Sequence, residues 1–381
     1  MTTQKINSRH RLTKAILTTL VVVVLIGVLG VLLRANRSLD ASVSCQGYYA
    51  NMANPPAAAQ RWCDSGSYFS WQSTLPQNAD FEALNIFHVC EGNPEDPAML
   101  LIHGYPTSSF DYAPLFAILR DAYYVCALDT PGYGFSDKPL DGFDYSIFDD
   151  AQLVDHYIRE VVGMDDFTLV THDKGDSVGL ALLQIYHDYD ERPYTIAHHV
   201  ITNGNIYLPL AQLTTGQQTL LNPSVGPFVS SLLGGEQLAT GIDEFFIKPL
   251  PEQEIAAYAS IFDYQGGTRV QHDIITYLDE RSANETDWLQ ALSRSDIPTT
   301  VIWGEQDTVA PVAVPDDVWS NYLEDRAAPA SYWRIPCADH YLQVDQPELL
   351  VEVLNVSWEE AGVSVVEGSE CQAVRIEHHA D

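Results

Sequence analysis

From about residue 81 onward, apolar residues fall in short runs spaced like buried strands. The runs lie at 84–89, 99–103, 123–128, 167–171, 199–202, 299–303 and 331–335. Between several of them the apolar positions recur at helical spacing, over 112–119, 147–162 and 177–189, and again over 348–360. Strands that alternate with helices are joined by crossovers, which place neighbouring strands parallel. The pattern therefore predicts an α/β domain built on a mostly parallel sheet. Over 205–297 the alternation stops: helical pieces at 253–262, 270–281 and 286–292 are separated by Gly- and Pro-containing loops, with no strand-like run. Such a stretch reads as a helical insertion between two strands, where a lid over a site would be placed.

The N-terminus has a different pattern. Residues 15–33, AILTTLVVVVLIGVLGVLL, form an uncharged run of 19, long enough to cross a hydrocarbon core of about 30 Å. Lys5, Arg9, Arg11 and Lys14 precede it, and only Arg34 and Arg37 follow closely. The positive-inside bias puts the N-terminus in the cytoplasm and the remaining chain outside. A cleaved signal peptide is the alternative, but its apolar core usually spans about 7–15 residues and ends at a small-residue site, whereas this run ends in Leu-Leu-Arg. The expected organisation is a cytoplasmic tail (1–14), a membrane anchor (15–33), a stalk or lead-in (34–80), a core (81–204 and 298–362), a lid (205–297) and a C-terminal tail (363–381).

Charge narrows the partners. The chain carries 52 acidic and 19 basic residues, a net −33, which repels phosphate backbones and excludes nucleic acid as a partner. The same charge repels anionic lipid headgroups. It reports on a heavily hydrated surface, as in a saline setting, and says nothing of a reaction. Six cysteines (Cys45, Cys63, Cys90, Cys126, Cys337, Cys371) fit an oxidising compartment. Cys45 and Cys63 are expected to pair, while Cys90 and Cys126 sit in strand-like runs and read as buried thiols. No CxxC or Cys/His ligand spacing occurs, so no metal is expected.

The chemistry centres on residues 167–179, FTLVTHDKGDSVG. A strand turning sharply into a helix exposes one side chain above the sheet and needs small neighbours. Two registers fit. In one, Thr171-His-Asp-Lys-Gly175 is the turn and Asp173 the nucleophile; in the other, Gly175-Asp-Ser-Val-Gly179 matches G-x-S-x-G and Ser177 attacks. The apolar run stops at Thr171, and the serine register would extend a buried strand through three polar residues. Val178, Leu182 and Ile185 then form a helical stripe toward the sheet, which favours Asp173.

The motifs resemble a known group. Leu101-Ile-His-Gly-Tyr-Pro-Thr-Ser-Ser109, the run 129–139 (DTPGYGFSDKP) and the His-Asp-x-Gly elbow are similar to those of haloalkane dehalogenases and epoxide hydrolases of the α/β-hydrolase superfamily. The likeness covers about 81–360. It implies an α/β-hydrolase fold with a helical lid, no metal or organic cofactor, a small-molecule substrate, and Asp173 forming an alkyl-enzyme ester. An ester of that kind needs a base and an orienting carboxylate for its hydrolysis. His340 follows the strand run at 331–335, and Asp307 or Glu305 follows the one at 299–303; the resemblance favours Asp307. It assigns the oxyanion hole to the backbone N–H groups of Tyr105 and Lys174. Dehalogenases of the group hold halide with a Trp after the nucleophile, where this chain has Lys174. Epoxide hydrolases protonate the opening ring with lid tyrosines. Tyr277 occupies a similar position, with Tyr207, Tyr258 and Tyr264 as further candidates. His172 reads as structural, and Asp129 as a staple for its own loop.

Overall fold

The computed structural model describes residues 43–140, 142–356, 362–369 and 371–376. The candidate anchor at 15–33 lies outside the described residues, among which no helix is long and apolar enough to cross a membrane.

Ten strands form one sheet: β1 (Gly66–Trp71), β2 (Leu84–Glu91), β3 (Ala98–Ile102), β4 (Tyr124–Leu128), β5 (Asp166–His172), β6 (Thr195–Thr202), β7 (Thr299–Gly304), β8 (Ala330–Ile335), β9 (Val365–Glu367) and β10 (Gln372–Arg375). Their order is β1-β2-β4-β3-β5-β6-β7-β8-β10-β9. The central strands from β4 to β8 run parallel, and the outer strands at both edges are antiparallel. Burial explains why the central strands were legible as apolar runs: β7 is buried at every position and β5 from Leu169 to its end. Apolar side chains on the two faces build two separate clusters.

Two stretches differ from the sequence expectation. The lead-in at 34–80 holds two helices, Cys45–Ala50 and Ala57–Ser65, and the edge strand β1. β1 has Ser67 and Ser70 among its aromatic residues on a half-exposed edge, so it lacks the continuous apolar run that marks a buried strand. The C-terminal stretch contributes β9 and β10, too short and polar to stand out. All six cysteines are paired, as Cys45–Cys63, Cys90–Cys126 and Cys337–Cys371. The expectation of free thiols at Cys90 and Cys126 is thereby corrected: β2 pairs with β4, and Cys90 stands directly opposite Cys126. Closing loops of 18, 36 and 34 residues, each bridge contributes about 3–4 kcal/mol in the loop-entropy account.

Between β6 and β7 the chain is helical throughout its ordered elements, including Gly226–Leu232, Glu252–Asp263 and the long helix Tyr277–Arg294. β3 sends the chain outward to β4 on one side and is flanked by β5 on the other. This reversal is the switch point at which open α/β sheets place their sites, beyond the carboxyl ends of the strands.

Candidate active site

Register brings the candidate residues together. Ile102 of β3 pairs with Thr171 of β5, and His172 pairs with Thr202 of β6. The segments after these strands, carrying Tyr105, Asp173 and Asn203, therefore leave the sheet side by side. Asp307 follows β7, and His340 lies in the turn between β8 and the short helix Leu342–Asp345.

Asp173 stands between β5 and the helix Lys174–Asp188 with φ 52° and ψ −117°. A non-glycine residue in this region is strained by about 1–3 kcal/mol, and the surroundings must hold it there. Gly104 permits the approach: a Cβ there would lie 2.4 Å from that of Asp173. Ser177, the other candidate, is the fourth residue of the helix and does not occupy the turn.

The buried carboxylate of Asp173 has two distinct oxygens. Oδ1 accepts the Tyr105 N–H at 2.6 Å, and the Lys174 N–H also hydrogen-bonds the group. Oδ2 lies 3.6 Å from His340 Nε2. Burial raises the pKa of Asp173, against the opposing effects of His340 and the two N–H groups. His340 Nδ1 is 2.8 Å from Asp307 Oδ2. Burial disfavours the imidazolium, but Asp307 and then Asp173 and Asp339 outweigh it, lifting the pKa of His340 to about 9. Burial opposes the charge of Asp307 too, yet His340, the Asn203 amide and the Ala310 N–H hold its pKa below the ordinary value. Glu305 makes no contact with His340; its neighbour is Arg334 at 3.9 Å.

Asn203 was missed by sequence reasoning. With φ 44°, it donates to Asp307 Oδ2 at 2.8 Å and accepts from the Gly304 N–H at 2.9 Å. It thus fixes the acid on the loop that carries it. Its available signal was the Asn-Gly pair directly after a strand, a sequence suited to positive φ. His172 Nε2 lies 2.9 Å from the His340 carbonyl oxygen, and burial depresses its pKa to about 3. Asp129 accepts the Ser109 and Phe135 N–H groups at 2.8 and 2.7 Å and staples its loop.

The side chains beyond this set bear on substrate. The Lys174 ammonium pairs with buried Asp150 and sits 4.4 Å from the centre of the Tyr133 ring. Tyr277, the first residue of the long helix Tyr277–Arg294, is buried with its ring 6.0 Å from that of Tyr105. Its hydroxyl has no protein partner. Tyr258 and Tyr264 are engaged elsewhere, donating to Asp111 at 3.0 Å and to the Val43 carbonyl at 2.8 Å, and Tyr207 is only partly buried.

A family model described as alpha/beta hydrolase fold matches residues 97–347. Over 298 residues the chain is 32% identical to LipZ of Mycobacterium tuberculosis, by name a hydrolase, covering 77% of this chain and 96% of that one. The chain belongs to the α/β-hydrolase family. This α/β-hydrolase is also 29% identical to the mesoderm-specific transcript protein of Mus musculus over 265 residues, 67% of this chain and 75% of that one. It is 28% identical to a haloalkane dehalogenase of Mycobacterium marinum over 288 residues, 74% and 90% of the two chains. Among solved structures, haloalkane dehalogenase DbeA from Bradyrhizobium elkani superposes with a TM-score of 0.57 at 20% identity, covering 76% of this chain and 96% of that one. An esterase from Thermogutta terrifontis gives 0.57 at 17%, with the same coverage. Likeness at this level establishes the fold and leaves the reaction to the site.

Proposed function

We propose that this hydrolase opens a small, lipophilic epoxide through an ester on Asp173. The observation that carries the reading is the division of labour between the two carboxylate oxygens. Oδ1 is held by the Tyr105 N–H, and Oδ2 lies 3.6 Å from His340 Nε2. Oδ2 attacks a ring carbon, the ring C–O bond breaks, and the Tyr277 hydroxyl protonates the departing alkoxide. Water then adds to Cγ of the ester. Negative charge develops on Oδ1, where the Tyr105 N–H already points, with the Lys174 N–H also bound to the carboxylate. His340, oriented by Asp307, takes one proton of that water; the Cγ–Oδ2 bond then breaks, the departing oxygen takes the proton held by His340, and the second water proton, left on the Asp173 carboxyl, restores the Tyr277 hydroxyl.

The charges order the two steps. Before attack, Asp173 is one of the groups that raise the pKa of His340. Ester formation neutralises Asp173 and removes that contribution, which shifts His340 toward its basic form when water must be activated. Ser177 as nucleophile has less support, since it lies within the helix and away from the strained turn. Halide chemistry, suggested by the dehalogenase relatives, has less support too. The side chain that follows the nucleophile here is an ammonium committed to Asp150.

Residues 15–33 are proposed to anchor the chain, with the N-terminus cytoplasmic and the hydrolase outside. Three disulfides suit that side of the membrane. Protease added from outside, with any outer barrier permeabilised, digests the domain if this is right; protection until the anchored membrane is broken reverses the orientation. For the chemistry, His340→Gln exposed to an aryl epoxide and weighed intact gains one substrate mass on the peptide holding Asp173. A mass gain at Ser177 instead would favour the serine route.

A further inference from the structure

We propose that the lid helix Gly226–Leu232 is a lipid-contacting surface that rests on the bilayer holding the anchor. The exposed face of this helix is apolar. Among the described residues, five large hydrophobic side chains stand out to solvent, and Val225, Phe228 and Leu232 are three of them, at 42%, 61% and 50% exposure. Spaced i, i+3 and i+7, they form one stripe. The opposite face is fixed to the domain: Ser230 is fully buried, and its hydroxyl donates to the carbonyls of Thr268 and Arg269 at 2.8 and 2.9 Å.

Charge identifies the occupant. Residues 193–235 contain no Asp, Glu, Lys or Arg, in a chain where 19% of residues are charged and the net charge is −33. Acidic surface is repelled by anionic headgroups, so the exposed part of this uncharged stretch is where the protein can approach a bilayer most closely. The neighbouring segment Tyr264–Val270 adds a cation, Arg269, and next to it His272 lies 3.3 Å from Asp273. A protein partner of an acidic molecule would meet charge with charge, and the stripe itself, Val225, Phe228 and Leu232, offers none.

Position supplies the second argument, which rests on the anchor reading. The described chain begins at Val43, whose carbonyl accepts from Tyr264 at 2.8 Å, on the same segment that receives Ser230. Only residues 34–42 separate Val43 from the apolar run, a span of about 30 Å when fully extended. Val43 and the helix bearing the apolar stripe thus contact the same segment, Tyr264–Val270. A lid in contact with lipid would admit substrates dissolved in the bilayer, which fits a lipophilic epoxide.

All six native cysteines are paired, so one added cysteine is the single thiol open to a nitroxide label. The full chain is reconstituted in vesicles of phosphatidylcholine and phosphatidylglycerol, labelled at Phe228→Cys, at Leu232→Cys, or at Glu160→Cys before β5. Relaxation by oxygen, which concentrates in lipid, is compared with relaxation by a water-soluble nickel chelate. The proposal predicts an oxygen-to-nickel ratio several-fold higher at 228 and 232 than at 160. Equal ratios, in chains that resist alkaline carbonate, overturn the lipid face and leave the anchor standing. Dipolar broadening at 228 identifies a second copy of the chain as the occupant and also overturns it. If carbonate strips the chain from the vesicles, the anchor reading fails, and the ratio at 228 after adding the chain to preformed vesicles decides the lipid face by itself.

Discussion

Replacing Tyr277 by Phe separates the chemistry of the lid from its packing. The Tyr277 hydroxyl is buried without a protein partner, and a buried polar group left unsatisfied costs about 1–3 kcal/mol. The aromatic contact with Tyr105 at 6.0 Å survives in phenylalanine. Tyr277→Phe should therefore leave the fold as stable as wild type, or up to about 1 kcal/mol more stable. Burial, and then the negative charge of Asp173, push the phenol pKa well above its ordinary value, so it remains a donor through neutral and alkaline pH. Loss of a positioned acid typically costs 10²–10⁴ in rate, or about 3–5 kcal/mol in the barrier. Single-turnover mixing with an aryl epoxide, read by intact mass, should show slower ester formation by that factor. Hydrolysis of the ester, once formed, should proceed as in wild type. Unchanged ester formation, or a substantial drop in thermal stability, would refute the reasoning.

The pH dependence of stability should carry the mark of His340. Its folded pKa of about 9 exceeds the ordinary 6.5, so its stabilisation is complete below about pH 6.5 and is lost as pH rises through about 9. Melting temperatures measured across that window should fall in wild type and flatten in Asp307→Asn; an equal slope in both would dispose of the pair as its source. Lys174→Met strands buried Asp150 and should cost about 3–5 kcal/mol in denaturant unfolding. Adding Asp150→Leu should recover most of that loss, and a single variant as stable as wild type would contradict the buried pair.

How much was readable in the sequence depended on burial. The central strands carry side chains buried on both faces, so each appeared as an unbroken apolar run. Asp173 could be located because its strand run ends two residues before it. β1 was hidden because an edge strand opening on Gly66-Ser67 and broken again by Ser70 has no continuous apolar run. The Cys90–Cys126 bridge depended on β2 pairing with β4 rather than β3, a topological fact that no local pattern carries. Asn203 depended on where a loop sets one amide, which spacing alone does not reveal. The ion pair of Lys174 and Asp150 joins residues on different helices, and neither neighbourhood in the sequence points to the other.

The central claim is that a carboxylate oxygen of Asp173 ends in the product, and a single turnover in heavy-oxygen water tests it most directly. With enzyme in excess over an aryl epoxide, Asp173 supplies the first oxygen and water replaces it on the enzyme. The account predicts an unlabelled first product and one heavy oxygen in the peptide containing Asp173, with the same outcome in Ser177→Ala. A labelled first product with an unlabelled Asp173 would contradict it.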